Sequence, residues 1–182
     1  MHIYLTEIYT NARNKFIHYA IALACLYVLV SIDNNIISPS RIVLTMISRI
    51  YKNAYFDASH RLLHYNGKCA NLHGHRWKVE VWVRGSANKV TGILVDYNLI
   101  RETIEQYDHQ VILNEQDPMV LCLEKFQHVI TTPGDPTSEV LADIIRERIN
   151  QECKTTGLDA VVVKIRVWES PTCFAEITDE VS

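Results

Sequence analysis

Trp77-Lys78-Val79-Glu80-Val81-Trp82-Val83-Arg84 decides the architecture. Trp77, Val79, Val81 and Val83 alternate with Lys78, Glu80, Trp82 and Arg84, so one face of a strand is apolar and the other wet. Parallel sheets are covered on both faces and read as unbroken apolar runs; a half-wet strand belongs to an antiparallel sheet. Upstream, Ile50 to His60 can be extended, with Ala54, Phe56, Ala58 and His60 in phase. Downstream, Gly85 to Asn88 reads as a turn and Ile93 to Asp96 as a short return segment. Asp96 is placed to cap a helix through Tyr107, with Leu99, Ile100, Thr103 and Ile104 as its stripe. A long loop punctuated by Pro118, Pro133, Gly134 and Pro136 follows. Thr137 or Ser138 then caps a helix whose stripe is Val140, Leu141, Ile144, Ile145 and Ile149. Val161 to Glu169 is a further strand, and Phe174 to Ile177 a short last one. Two strands, two helices and two strands predict an α+β fold: four antiparallel strands with both helices on one face.

The 182 residues, 48% hydrophobic and 21% charged, suffice for one domain. A formal charge of −3 gives no basic surface for nucleic acid. Five irregularly spaced cysteines (Cys25, Cys69, Cys122, Cys153, Cys173) make a poor disulfide framework and point to a reducing, cytoplasmic setting. Phe16 to Val30 is an apolar run broken only by His18, shorter than the roughly 20 residues of a membrane-crossing helix. No small-x-small cleavage pattern follows it. It reads as a marginal anchor, a buried helical extension, or upstream sequence that the working protein lacks. Met46 opens a segment leading straight into the first strand, which favours the last reading. The expectation is a hydrophobic extension over 1–45, a functional domain over 46–182, and no membrane association.

The chemistry is crowded. His73 and His75 are two apart at the entry of the Trp77 strand, so both imidazoles face one side of the sheet. His60 ends the preceding strand, and a hairpin would bring it beside them. Three imidazoles describe an open metal site of the zinc type, against the plainer reading of scattered polar histidines. Cys69, four residues before His73, is either a thiolate base or a fourth metal ligand; spacing alone leaves both open. Asp108 beside His109 suits a proton relay, or simply polarity at a helix end. Glu169 is in phase with Val161, Val163, Ile165 and Val167, which turns a carboxylate inward, where it needs donors. Glu139 has a structural reading as a helix-capping acid, and His64 as a surface residue.

Six blocks carry a resemblance: Phe56-Asp-Ala-Ser-His60, Gly67-Lys-Cys69-Ala-Asn-Leu-His73-Gly-His75, Thr91-Gly-Ile-Leu-Val-Asp96, Tyr107-Asp108-His109-Gln-Val-Ile-Leu-Asn114, Pro136-Thr137-Ser138-Glu139 and Trp168-Glu169-Ser170. Together, from about residue 48 to 178, they resemble the 6-pyruvoyltetrahydropterin synthase superfamily. The Cys-x3-His-Gly-His spacing is similar to the 6-carboxytetrahydropterin synthases of the queuosine (7-deazaguanine) pathway, whereas the pyruvoyl-forming branch has Cys-x5-His-Gly-His. The resemblance implies a T-fold that assembles into homo-oligomeric barrels with active sites at subunit interfaces. It implies that His60, His73 and His75 bind Zn2+ and that Cys69, Asp108 and His109 are catalytic. Glu169 would grip the pterin, with Glu139, Thr137 and Ser138 in a second pterin-contacting segment. The implied reaction converts dihydroneopterin triphosphate to 6-carboxytetrahydropterin, acetaldehyde and triphosphate, with Arg61, Lys68 and Arg101 as candidate phosphate-binding cations. The alternatives are a pyruvoyl-forming synthase and a silent zinc- and pterin-binding T-fold. The extension over 1–45 is foreign to the family pattern, and the stretch from Gln116 to Asp135, with Cys122 and His128, is given no role.

Overall fold

The computed structural model describes residues 47–179. The predicted extension and the position of Met46 as a start therefore lie outside the described residues. Strand β1 (Ile47–His60) is followed by a 3-10 turn (Lys68–Ala70), β2 (His73–Ser86), helix α1 (Tyr97–Glu105) and β3 (Gln110–Asn114). A short helix α2 (Met119–Leu123), β4 (Val129–Thr132), α3 (Ser138–Thr155), β5 (Ala160–Ser170) and β6 (Cys173–Thr178) complete the order. The strands form one sheet in the order β4-β3-β1-β2-β5-β6.

The α+β class stands, but four antiparallel strands become six in a mixed sheet. The β1-β2-β5-β6 part is antiparallel, as the period-two pattern required. The stretch read as a loop supplies β3, parallel to β1, and β4, parallel to β3. Val111, Ile112 and Leu113 drive this, since all three are buried and need a sheet to hide in. Ile93 to Asp96 is not a strand. Leu94 and Val95 are buried there, while the Asn88 amide donates to the Ile93 carbonyl to close the loop.

Both helices begin as their caps dictate. The Asp96 carboxylate accepts from the Asn98 amide, and the Thr137 hydroxyl accepts from Val140. Ile100 and Ile104 of α1 and Leu141, Ile145 and Ile149 of α3 pack on Phe56, Trp77, Val79, Val81, Val83 and Ile165. Each such side chain taken from water contributes about 1.5–3 kcal/mol, which fixes the helices to this face. Phe56 and Trp77 stack at 5.9 Å between ring centres.

One correction bears on Glu169. A register irregularity opposite Trp82/Val83 makes Val162 and Val163 both buried and leaves Val161 exposed. Val161 therefore does not share the inward phase of Ile165 and Val167.

Candidate metal centre and adjoining cavities

The β1–β2 register pairs His60 with His73 and Ala58 with His75, so three imidazoles meet at one end of the hairpin. Their rings lie 4.6 to 5.2 Å apart, centre to centre. His60 is 1% exposed. Its Nδ1 lies 2.8 Å from the Pro136 carbonyl, and His73 Nδ1 lies 2.8 Å from the Asn71 carbonyl. A carbonyl only accepts, so each Nδ1 carries a proton, and in a neutral ring Nε2 is then left with its lone pair. The Nε2 atoms of His60 and His75 are buried without a hydrogen-bond partner. Burial pushes the pKa of both His60 and His75 down, which keeps them neutral and able to ligate.

Glu169 completes the group. One ligand atom from each of His60, His73, His75 and Glu169 lies within 4.8 Å of all the others. Glu169 Oε1 is 3.2 Å from His75 Nε2 and 3.5 Å from His60 Nε2. Orphaned buried imidazole nitrogens converging with a carboxylate fit a metal ion, and the donor set suits zinc among imidazole-favouring metals. Cys69 is outside this set; it sits half-buried in the 3-10 turn, its carbonyl accepting from the Leu62 amide.

Asp108 and His109 form the expected pair, Oδ2 to Nδ1 at 2.8 Å. A hydrogen bond from the Asp57 amide, with help from His109, holds the Asp108 carboxyl below its ordinary range. His109 has φ 58, a left-handed backbone unusual for a side chain of this size, and its amide is tied to the Asp57 carbonyl. Its imidazole is 81% exposed. It reaches a cleft of about 450 Å³ that also touches Gly74, His75 and Arg76, but no ring contact joins it to the three-histidine group. Thr137, Ser138 and Glu139 serve as the first turn of α3. The amide of Glu139 itself and the hydroxyls of Thr137 and Ser138 hold the Glu139 carboxyl low. None of the three lines either cavity described here.

A larger cavity of about 600 Å³ opens against His75 and Glu169, with Tyr55, Arg76, Lys78 and Trp168 in its wall. Arg76 lines both spaces, its guanidinium 5.5 Å from the Tyr55 ring centre. The cations nominated from sequence are differently employed. Arg61 pairs with the buried Asp117 at 2.5 Å, and Arg101 bonds Glu105 along α1 at 2.7 Å. Lys68 is exposed in the 3-10 turn. Strand alternation marks Arg76 and Lys78 only as wet-face residues. The one signal was their place directly after the His-Gly-His pair. His64, exposed as expected, is held by Asp135, which also accepts from Asn114.

Behind the cavity, Glu80 is 8% exposed on the face opposite the helices. Its Oε1 accepts from Tyr51 at 2.8 Å and Lys78 at 2.9 Å, and its Oε2 from the Trp168 indole at 2.7 Å. This ties β1, β2 and β5 together one residue before Glu169.

The family model for 6-pyruvoyl tetrahydropterin synthase matches residues 49–180. The chain belongs to that family. A putative 6-carboxy-5,6,7,8-tetrahydropterin synthase of Pyrococcus abyssi is 35% identical over 150 residues, 75% of this chain and 93% of the relative. The 6-carboxy-5,6,7,8-tetrahydropterin synthase of Aquifex aeolicus is 30% identical over 158 residues, covering 72% and 98%. Among solved structures, the uncharacterized protein WS1659 of Wolinella succinogenes superposes with a TM-score of 0.60 at 20% identity, covering 75% of this chain and all of that one. The Caenorhabditis elegans 6-pyruvoyl tetrahydropterin synthase gives 0.52 at 22%, covering 75% and 98%. At such identities these two speak for the fold alone. Among the described residues, no helix is long and apolar enough to cross a membrane.

Proposed function

We propose that this chain is a zinc-dependent carbon–carbon lyase, a 6-carboxytetrahydropterin synthase of the queuosine (7-deazaguanine) route, working in the cytoplasm. It converts dihydroneopterin triphosphate to 6-carboxytetrahydropterin with release of acetaldehyde and triphosphate. The observation that carries this reading is the convergence of three imidazoles beside a cavity wide enough for a pterin, in a chain whose curated relatives bear that enzyme's name. Lewis-acid polarisation of the substrate's side-chain hydroxyls is what a zinc ion held by His60, His73 and His75 supplies.

The remaining work falls to the chain's own groups. Cys69 takes a proton from the substrate side chain as thiolate, and His109, oriented through Nδ1 by Asp108, returns one through Nε2. Glu169 accepts from the 2-amino group and ring N–H of the pterin, a bidentate match for a carboxylate. Thr137, Ser138 and Glu139, which line neither cavity of one chain, contact the pterin from the start of α3 only in the assembled protein. Arg76 receives the triphosphate, supported by its place at the junction of the two cavities.

The working unit spans 46–182 and is a T-fold barrel of several copies with its sites between subunits. The exposure of His109 supports that assembly. Incubation of the zinc-loaded protein with dihydroneopterin triphosphate, with products resolved by liquid chromatography and mass detection, tests the reading. A 6-carboxy pterin with acetaldehyde is expected. A pyruvoyl pterin, or no turnover with pterin and zinc still bound, would replace it with the other branch or with a silent binding module.

A further inference from the structure

Two of the three histidines are oriented by carbonyls that lie outside the hairpin. His60 Nδ1–H donates to the Pro136 carbonyl, between β4 and α3, and His73 Nδ1–H donates to the Asn71 carbonyl, in the loop over 61–72. That loop also carries Cys69, whose carbonyl accepts from the Leu62 amide at 2.8 Å. Neither carbonyl belongs to a strand, so the register of β1 on β2 does not by itself fix either one.

Asp135 joins the two segments. Its Oδ2 accepts from the His64 amide at 2.8 Å. Its Oδ1 accepts from Asn114 Nδ2 at 2.9 Å, at the end of β3, and lies 3.2 Å from His64 Nδ1. The Asp135 carbonyl accepts from the Thr137 amide at 2.7 Å, so Pro136 is held from both sides. Behind it, the buried Thr132 hydroxyl donates to the Gly134 carbonyl at 2.7 Å. Proline has a fixed φ, so with both neighbours tied the Pro136 carbonyl has little freedom to turn away from His60. Burial pushes the Asp135 carboxyl up, but bonds from Asn114 and from the His64 and Leu63 segment outweigh this and hold it below its ordinary range. Asp135 lines neither cavity and acts through what it holds.

We propose that Asp135 is a positioning residue for the centre. By locking the loop over 61–72 to the segment ahead of α3, one carboxylate sets the orientation of His60 and His73 together and fixes where Cys69 stands relative to them. Its loss loosens ligands and thiol at once while the fold remains. Arg61 stays paired with Asp117 at the start of the loop, and α3 keeps its Thr137 cap. The metal half rests on the three-imidazole centre proposed above; the thiol half rests on the loop alone.

The test compares the full-length wild type with Asp135→Ala and Asp135→Asn in two assays that need no pterin. Loaded with Co2+, whose visible bands report the ligands' arrangement, the variants are expected to show shifted bands. Chelator competition should show zinc held about tenfold more weakly by Asp135→Ala, the usual effect of freeing the other nitrogen of a ligating histidine. With zinc saturating, brief iodoacetamide labelling read by peptide mass spectrometry then compares four thiols in one sample. Cys69 should react about tenfold faster in Asp135→Ala, the change in local opening expected from loss of one charge-assisted bond. The exposed Cys122 and Cys173 should keep their rates, and the buried Cys153 should stay protected. Asp135→Asn, whose carbonyl oxygen can still accept from the His64 amide, should fall between. Unchanged bands and zinc affinity in both variants would overturn the metal half, and unchanged Cys69 labelling the thiol half. Faster labelling of Cys153 as well would make Asp135 a prop of the whole fold and overturn the assignment. Wild type that takes up no metal would overturn the three-imidazole reading together with the metal half, with Cys69 labelling still deciding the thiol half.

Discussion

In a Glu80→Gln variant, the carboxylate that joins β1, β2 and β5 becomes an amide of nearly the same volume. The native group accepts from Tyr51, Lys78 and Trp168. The amide oxygen can serve one side of the fork, and the amide nitrogen then faces a donor on the other. Burial pushes the Glu80 carboxyl up, but its bonds from Lys78, Trp168 and Tyr51 outweigh this and hold it below its ordinary value. The Lys78 side chain is 30% exposed and Tyr51 42% exposed, so their shares are screened to at most about 1 kcal/mol each. The Trp168 bond to a charged acceptor is worth about 1.5–3 kcal/mol if lost. The expected loss is about 2–3 kcal/mol, or roughly 6–15 °C in Tm for a domain of this size.

The pH dependence has a definite sign. A carboxyl whose folded pKa is depressed stabilises above its unfolded value, near 4.5, and loses that contribution as pH falls through the folded value. The gap between wild type and variant is therefore full at pH 7 and closes in acid. Urea unfolding at fixed protein concentration, followed by tryptophan fluorescence and circular dichroism at several pH values, measures it. A gap under 0.5 kcal/mol at neutral pH, on the order of ordinary surface changes, or one that widens in acid, would refute the reasoning.

Other outcomes follow from the centre and its cavities. Stripping the metal with a chelator should lower Tm and re-addition of zinc restore it; free metal at about 1,000 times its Kd stabilises by about 4 kcal/mol. Cys69→Ala should cut turnover by about 10²–10⁴-fold with metal content unchanged. Co-loss of the metal would make the thiol a ligand. Arg76→Ala should raise KM for dihydroneopterin triphosphate by about tenfold or more, the loss of one charge-assisted bond, while affinity for unphosphorylated dihydroneopterin stays the same. Equal weakening of both would remove Arg76 from phosphate binding.

Period two carried the sequence far. Trp77 to Val83 and Ala54 to His60 alternate so regularly that the hairpin, its buried face and the meeting of His60, His73 and His75 could be read directly. Both helix starts were legible because Asp96 and Thr137 are oxygen-bearing caps ahead of apolar stripes. The added strands were not. Gln110–Asn114 and Val129–Thr132 are five and four residues long, too short for a pattern; the first pairs in parallel with β1, some 50 residues upstream, and the second only with the first. Bulges are equally silent, so the burial of Val162 in place of Val161 could not be foreseen. The inward turn of Glu169 was legible, but its approach to two imidazoles was not, because it depends on how β5 lies against β2.

Metal content and product formation on the same sample test the central claim most directly. The account predicts one zinc per chain, acetaldehyde release from dihydroneopterin triphosphate that vanishes on metal removal and returns on re-addition, and neither zinc nor acetaldehyde from a protein lacking His60, His73 and His75. Acetaldehyde release by metal-free protein, or zinc retained after all three imidazoles are replaced, would contradict it.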